Sequence, residues 1–96
     1  MNLYLLTQGI NNGYDTYDSA VVAAESEEEA RRVSPCHFYV WREVGGWHFK
    51  YADGREKPEG RNRYDWTSPD QVTAELIGVA SEGTAAGVIC ASFNAG

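Results

Sequence analysis

An apolar stretch runs directly into a helix-start signal in the first third of the chain, and this junction restricts the possible folds more than any other feature. Residues 18–24 are mostly apolar, which is typical of a buried β-strand. The Ser26 hydroxyl is placed to accept a hydrogen bond from the Glu29 amide, and the Glu29 side chain can reach back to the Ser26 amide, which together make a capping box. Acidic residues then fill the first turn and basic residues the last, as the helix dipole favours. The junction predicts a buried strand followed by a short capped helix over residues 27–34, which ends before Pro35.

The rest of the chain predicts short strands separated by turn signals. Segments over residues 2–8, 73–80 and 87–93 are apolar and bounded by turn residues, as strands are. Ser68 followed by Pro69 predicts a single helical turn. Together with the hairpin described next, these elements indicate an α+β fold. It consists of a small antiparallel sheet of five to six strands, one short capped helix after the second strand, and an aromatic hairpin.

Two ring-rich segments, residues 37–43 and 47–51, alternate with period two and are joined by a Val-Gly-Gly turn, which predicts a hairpin. In each strand the rings fall on one face: Tyr39, Trp41, Trp47, Phe49 and Tyr51. Two interpretations stay open. The rings build core and cross-strand pairs, or they form an aromatic contact surface that makes a homodimer through Trp41 or Trp47. The basic segment over residues 55–63, which contains Pro and Gly, is expected to be a mobile loop.

The charge of the chain is distributed unevenly, and its formal sum is −6 at pH 7. Residues 1–30 carry six acidic and no basic residues, and all eight basic residues lie between Arg31 and Arg63. Because an acidic surface repels phosphates, we predict no direct nucleic-acid binding. No apolar stretch approaches the roughly 20 residues that cross a bilayer, and residues 1–4 lack the basic start of a signal peptide. We therefore expect a single domain of 96 residues in the cytoplasm, without membrane contact.

Four residues could bind a metal, namely Cys36, His37, His48 and Cys90, but their spacing matches no zinc motif. The chain has no Cys-x-x-Cys, and the neighbouring Cys36 and His37 would point to opposite faces of a strand. The same residue types show no signature of a Cys–His hydrolase. We predict no metal, no cofactor and no catalytic residue, with a Cys/His metal-binding protein as the less favoured alternative. The two cysteines are expected to be free thiols, with a Cys36–Cys90 bridge as the alternative.

Two parts of the chain resemble one known family. The loop before the apolar strand reads Gly13-Tyr14-Asp15, and the strand ends in Ala23-Ala24-Glu25-Ser26-Glu27-Glu28-Glu29-Ala30. A Gly-Tyr-Asp loop and an apolar strand ending in Ala-Ala-x-Ser-Glu-x-Glu-Ala resemble the type II-C anti-CRISPR inhibitors that cap the HNH nuclease domain of the CRISPR effector. In that family a closing strand carries a Ser-Cys pair and then an aromatic residue. The comparable place here holds Ala91-Ser92-Phe93, with Ser92 at the Cys position and Cys90 close by.

The resemblance implies a protein partner, the HNH domain of a type II CRISPR nuclease, whose catalytic Asp and His the Ser-Cys pair contacts. It implies a small acidic protein of phage or mobile-element type that occludes the active site in the host cytoplasm. The contact residues that it implies are Gly13, Tyr14, Asp15, Asp18, Cys90, Ala91, Ser92 and Phe93. The alternative is a small housekeeping or self-associating interaction module without a nuclease target.

Overall fold

The computed structural model of the chain describes residues 1–10, 16–36, 38–60 and 66–94. Its elements, in chain order, are β1 (Asn2–Thr7), β2 (Thr16–Ala24), helix α1 (Glu27–Arg31), β3 (Tyr39–Arg42), β4 (Gly46–Lys50), β5 (Glu56–Gly60), a 3₁₀ turn (Pro69–Gln71), β6 (Thr73–Val79) and β7 (Gly87–Asn94). Within these residues the strands form two antiparallel sheets. Sheet A has the order β6-β1-β2-β7, and sheet B has the order β3-β4-β5. The predicted α+β class is confirmed. No helix in the described part of the chain is long and apolar enough to cross a membrane.

The division into two sheets is a correction to the sequence-based expectation. The sequence predicts one sheet of five to six strands, whereas the described residues hold seven strands in two sheets. The unexpected strand is β5, which falls in the segment over residues 55–63 that the sequence predicts as a mobile loop. β5 pairs with β4 and lies at the edge of sheet B. Pro58, which has no backbone N–H, is tolerated there because an edge strand leaves one side unpaired.

A charged cluster fixes β5 beside the hairpin. Arg42 donates from Nε and Nη2 to the two carboxylate oxygens of Glu56 over 3.0 and 2.8 Å. His48 Nδ1 lies 3.3 Å from the same carboxylate, and His48 Nε2 lies 3.1 Å from the Val44 carbonyl oxygen. The hydrogen bonds from Arg42 lower the pKa of Glu56 below its ordinary value, because they favour the charged carboxylate. This bidentate ion pair holds the polar residues of β5 beside the hairpin, where they form an edge strand.

The core lies on one face of sheet A, in which β1 and β2 are the two inner strands. Leu6 of β1 is fully buried and stands opposite Ala20 of β2 and Ala74 of β6. Two pairs away, on the same face of the sheet, Tyr4 stands opposite Val22. The buried cluster also includes residues of α1 and of sheet B, and its members are Tyr4, Leu6, Ala20, Val22, Ala24, Ala30, Cys36, Tyr39, Trp47, Trp66 and Val72. This one cluster therefore joins sheet A to the helix and to the rings of sheet B.

Helix α1 begins where the sequence predicts and ends three residues earlier. Ser26 is its N-cap, and the Ser26 Oγ accepts a hydrogen bond from the Glu29 amide over 3.2 Å. The helix ends at Arg31 because Val33 leaves it and forms an antiparallel bridge with strand β3. Ala30 is fully buried and belongs to the core cluster. The short helix is thus held by its cap and by one small side chain in the core.

Replacing Ser26 with Ala is expected to lower the melting temperature by several degrees. The change removes the acceptor for the Glu29 amide at the start of a five-residue helix, and such caps contribute about 0.5–2 kcal/mol. So short a helix has little stability of its own, and each kcal/mol corresponds to roughly 4–8 °C in a domain of this size. Circular dichroism during heating measures the shift, and Ser26→Asp, which keeps an acceptor, is the matched control. A Ser26→Ala variant that melts like the wild type would contradict the cap.

The predicted aromatic hairpin is formed by β3 and β4, and its largest rings pack inward. Tyr39 stands opposite Phe49, and Trp41 stands opposite Trp47. The Trp47 side chain is 1% exposed, and its indole N–H donates to the Thr67 carbonyl over 3.1 Å. The rings of Trp41 and Trp47 meet edge to face with their centroids 5.3 Å apart. These contacts correspond to the first interpretation, in which the rings build core and cross-strand pairs.

Candidate binding surface

Strand β7 carries four of the predicted contact residues along one edge of sheet A. Its register with β2 pairs Tyr17 with Phe93, Ser19 with Ser92, Ala20 with Ala91 and Val21 with Cys90. Asp18 lies on β2 between the first two of these pairs, so the structure brings it together with the second half of β7. We call Asp18, Cys90, Ala91, Ser92 and Phe93 the β7 surface. The other predicted contact residues lie outside the described residues: Gly13, Tyr14 and Asp15.

A β-bulge displays Asp18 at this surface. The register shifts between Tyr17 and Ser19, so that Asp18 is an extra residue with no partner residue on β7. Bulges of this kind re-aim a side chain at a sheet edge. The Asp18 side chain is exposed, and its Oδ1 accepts a hydrogen bond from the Ser19 hydroxyl over 2.9 Å. A negative charge is therefore held next to Ser92 and Phe93.

Phe93 is held by the fold on one side and open to solvent on the other. Its ring lies against Tyr17, with the two centroids 4.8 Å apart, and Tyr17 in turn packs against the buried core. Phe93 is still 42% exposed. An aromatic ring that is fixed in position and partly exposed can bury its remaining area on a partner with little loss of conformational freedom.

The thiol of Cys90 and the hydroxyl of Ser92 lie on the same face of β7. Successive side chains of a strand alternate between faces, so residues two apart share one, and Ala91 faces the other way. Cys90 and Ser92 are both exposed, and Cys90 is a free thiol. The family that the chain resembles has Ser and Cys adjacent in sequence, whereas here the two groups are separated by one residue. The strand geometry nevertheless places them side by side.

The other potential metal ligands do not join this surface. Cys36 is a free thiol buried in the core, and burial raises its pKa, which keeps it protonated. His48 is engaged with Glu56 and a backbone carbonyl in sheet B. His37 lies outside the described residues. Across the residues that the structure describes, no group of three or more His, Cys, Asp or Glu side chains could hold a metal ion.

Strand β7 lies at an edge of sheet A, as far as the described residues form that sheet. It is eight residues long, and one of its two sides has no neighbouring strand in the described sheet. Its sequence, Gly-Val-Ile-Cys-Ala-Ser-Phe-Asn, contains no charged residue and no proline. Val88 and Ile89 are 38% and 50% exposed. Proteins usually protect such edges with Lys, Pro or a short strand. No strand among the described residues pairs with the backbone groups on this side of β7.

A cleft at the start of β7 was not foreseen from the sequence. It has a volume of about 470 Å³ and lies between the end of α1, strand β3 and the first residues of β7. We call it the β7 cleft, and its lining includes Arg32, Val33, Val40, Trp41, Arg42 and Val88. These residues come from three separate parts of the chain, so no local sequence pattern predicts that they lie close together. The alternating rings of residues 37–43 and 47–51 predict a hairpin, and they do not predict a cleft.

No protein-family model, no curated protein and no solved structure matches this chain. The function is therefore inferred from the residues, from the resemblance that they carry and from the geometry of the β7 surface. That geometry offers exposed hydroxyl, thiol, carboxylate and aromatic groups on a sheet edge. Such a set of groups is suited to contact with another macromolecule.

Proposed function

We propose that this chain is a small acidic protein of phage or mobile-element type that binds the HNH domain of a type II CRISPR nuclease and occludes its active site. The single observation that carries the proposal is the β7 surface. Asp18, Cys90, Ser92 and Phe93 occupy one exposed end of sheet A, and the resemblance assigns contact with the nuclease to this part of the chain. The inhibitor acts in the cytoplasm of the host cell, where free thiols such as Cys90 persist.

Charge favours this partner over nucleic acid. The chain has a formal charge of −6, and the bulge holds the Asp18 carboxylate beside Ser92. A nuclease site that binds a metal ion and a phosphate backbone presents positive potential, to which an acidic protein is complementary. The same acidic protein is repelled by DNA itself. It therefore competes with DNA for the enzyme and does not bind the substrate.

The small side chains of β7 permit a close approach. The side chains of Cys90 and Ser92 are short and polar, so this part of β7 can enter a deep active site without a steric clash. A hydroxyl can both donate and accept a hydrogen bond, and a thiol does so weakly, which suits contact with a catalytic His and Asp. Phe93 lies on the other face of β7, where its exposed ring adds apolar area at the strand edge.

Ser92→Arg and Asp18→Lys are each expected to weaken inhibition of the nuclease by about 30-fold or more, as substitution of an interface hot spot does. The first places a long cation where a hydroxyl must approach the active site. Asp18→Lys reverses the negative charge that complements the positive potential of the nuclease site. DNA cleavage titrated with inhibitor and co-elution with the purified HNH domain measure the two effects. Wild-type protein that neither co-elutes with the domain nor slows cleavage would refute the proposed function.

Two matched controls make the same chemical changes elsewhere. Thr73→Arg places the same cation on β6, in the row that runs through Thr7 and Ser19 to Ser92. Glu82→Lys reverses a charge in the exposed turn between β6 and β7. Both controls should inhibit like the wild type. If Ser92→Arg and Asp18→Lys also inhibit like the wild type, the β7 surface is not the contact.

An interaction module without a nuclease target is the second candidate, and the unprotected β7 edge favours it. A homodimer through Trp41 or Trp47 stays a prediction, although Trp47 has almost no exposed area to contribute. Light scattering of the purified chain across a concentration series measures its mass directly. A doubled mass that Trp41→Ala reduces and Phe93→Ala leaves unchanged would assign the dimer to the hairpin.

A further inference from the structure

We infer that the free edge of β7 binds β7 of a second copy of this chain in an antiparallel, two-fold symmetric pair, and that Phe93 of each copy enters the β7 cleft of the other. The inference goes beyond the proposed function, because it requires no nuclease. The pairing would extend the four strands of sheet A into one continuous eight-stranded sheet across two copies. Main-chain hydrogen bonds between edge strands supply the affinity in such pairing.

The β7 edge fits a second copy better than the opposite edge of sheet A does. That opposite edge is β6, which carries Glu75 near its middle. A symmetric β6 pair would bring two carboxylates close together across the interface, and like charges across paired strands are destabilising. β7 has no charged residue over its whole length, so two copies can pair along it without that repulsion.

The positions of the cleft and of Phe93 set the direction of pairing. The cleft lies beside Val88, at the start of β7, and Phe93 lies near the end of the strand. In an antiparallel pair the start of one β7 faces the end of the other, so each cleft meets the Phe93 ring of the second copy. A parallel pair would keep each ring away from the cleft of the other copy. The surface is therefore complementary to itself under a two-fold axis, as an isologous interface requires.

We place the two-fold axis at Ala91, because this register brings Phe93 of one copy close to Val88 in the cleft wall of the other. Ala91 then stands opposite Ala91 of the second copy and Cys90 opposite its Ser92, and residues that stand opposite each other share a face. Ile89 is an extra residue, because the register with β2 shifts between Val21 and Val22 and passes directly from Cys90 to Val88. Because Ile89 is the extra residue of this bulge, Val88 takes the next position in the register, and Phe93 of the second copy stands opposite Val88.

The β7 cleft is a suitable receptor for that ring. Its volume of about 470 Å³ is within the range of small-ligand sites, and Val88 lies in its wall together with Val40 and Trp41. Phe93 is already positioned against Tyr17 and has its other side exposed. Each copy would thus bury one partly exposed ring in a partly apolar cleft, twice per dimer.

The first test is the mass of the purified chain alone, measured by sedimentation equilibrium over a range from about 1 to 200 μM, which brackets weak and moderate protein affinities. We expect a monomer–dimer equilibrium that Phe93→Ala weakens at least about tenfold. Phe38→Ala is the matched control, since Phe38 is exposed to a similar degree and is not part of the lining of the β7 cleft; it should leave the equilibrium unchanged. A chain that is monomeric throughout the range, or a dimer indifferent to Phe93→Ala, would overturn the inference.

The second test is a double-mutant cycle between the Phe93 ring and the wall of the cleft, in which Val88 lies. Val88→Ala and Phe93→Ala should each weaken the dimer. The double variant should lose less binding free energy than the sum of the two single losses, because both substitutions truncate the same contact. Strictly additive losses would refute the insertion of Phe93 into the cleft.

The third test is cross-linking at the two-fold axis. Opposed residues of an antiparallel pair have Cα atoms about 4.5–5.5 Å apart, within the distance that a disulfide spans. In the Cys90→Ser/Ala91→Cys variant, copper phenanthroline in air should link two copies through position 91, while the buried Cys36 stays reduced. The same oxidation of Cys90→Ser/Ile77→Cys, which places the thiol on β6, should give no linked dimer. Equal linkage at the two edges would exclude β7 as the specific interface.

These tests are independent of the proposed function, because they contain no nuclease. A nuclease that binds the β7 surface would compete with the second copy for Phe93 and for the strand edge. Excess HNH domain should therefore convert the dimer into a one-to-one complex if both proposals hold. A dimer that forms as described while the chain fails to inhibit cleavage would refute the proposed function alone.

Discussion

Trp47→Ala is expected to lower the free energy of unfolding by about 3–5 kcal/mol, as truncation of a large buried aromatic residue does. The Trp47 side chain is 1% exposed and lies in the cluster that joins sheet B to sheet A. The substitution also removes the edge-to-face contact with Trp41 and leaves the Thr67 carbonyl without the indole donor. A domain of this size has a total stability of about 5–15 kcal/mol, so much of it would be lost. Urea denaturation followed by fluorescence or circular dichroism measures the change.

The hydrogen bond and the packing of Trp47 can be separated by comparison with a second tryptophan. Trp47→Phe keeps a large ring but loses the bond to Thr67. Trp66 is also buried, and its indole nitrogen has no hydrogen-bond partner among the described residues. Trp66→Phe therefore removes a buried donor that bonds to none of the described residues, and should cost less than Trp47→Phe. If Trp66→Phe is the more destabilising of the two, the assigned role of the Trp47–Thr67 bond is wrong.

Leu6→Ala is expected to cost about 2–5 kcal/mol, toward the upper end of that range. Leu6 is fully buried in the central strand, and the residues opposite it on both neighbouring strands are alanines, Ala20 and Ala74. Small neighbours cannot move into the cavity that the truncation would leave. Leu76→Ala on the edge strand, where the side chain is 60% exposed, is the control and should change stability by less than about 0.5 kcal/mol.

A volume exchange across the two strands sharpens this test. In Leu6→Ala/Ala20→Leu the large side chain moves from β1 to the opposite position on β2, so the total core volume is kept. The double variant should be more stable than Leu6→Ala alone, with a favourable coupling of at least about 0.5 kcal/mol. Chemical denaturation of the four proteins in the cycle gives the coupling. Strict additivity would mean that the two side chains do not share one space.

The parts of the fold that depend on local sequence could be predicted, and the strand-to-helix junction is the clearest case. A cap acts between residues three apart, so Ser26 and Glu29 carry its signal within one short window. The strand β5 could not be predicted in the same way. Its polar sequence becomes a strand because Glu56 binds Arg42, fourteen residues earlier, and such a pairing leaves no periodic pattern.

The candidate surface was anticipated only in part, for a related reason. The sequence marks Asp18 and the segment from Cys90 to Phe93 separately, and only the pairing of β2 with β7 places them side by side. The bulge that displays Asp18 and the one at Ile89 are properties of that pairing. The β7 cleft depends on yet more distant segments, so it becomes visible only when both sheets are assembled.

The central position of β1 has a consequence for how the chain is made. β1 is translated before β6, although β6 is one of its two neighbours in the sheet and Asn2 pairs with Val79. While the ribosome is still producing the intervening segment, the β1–β2 ribbon has no third strand, and an isolated two-stranded ribbon is marginally stable at best. Sheet A is completed only once β6 and β7 have emerged, so its folding follows synthesis and is slowed by these long-range pairings. During that interval Leu6 and Val22 are exposed to chaperones and proteases.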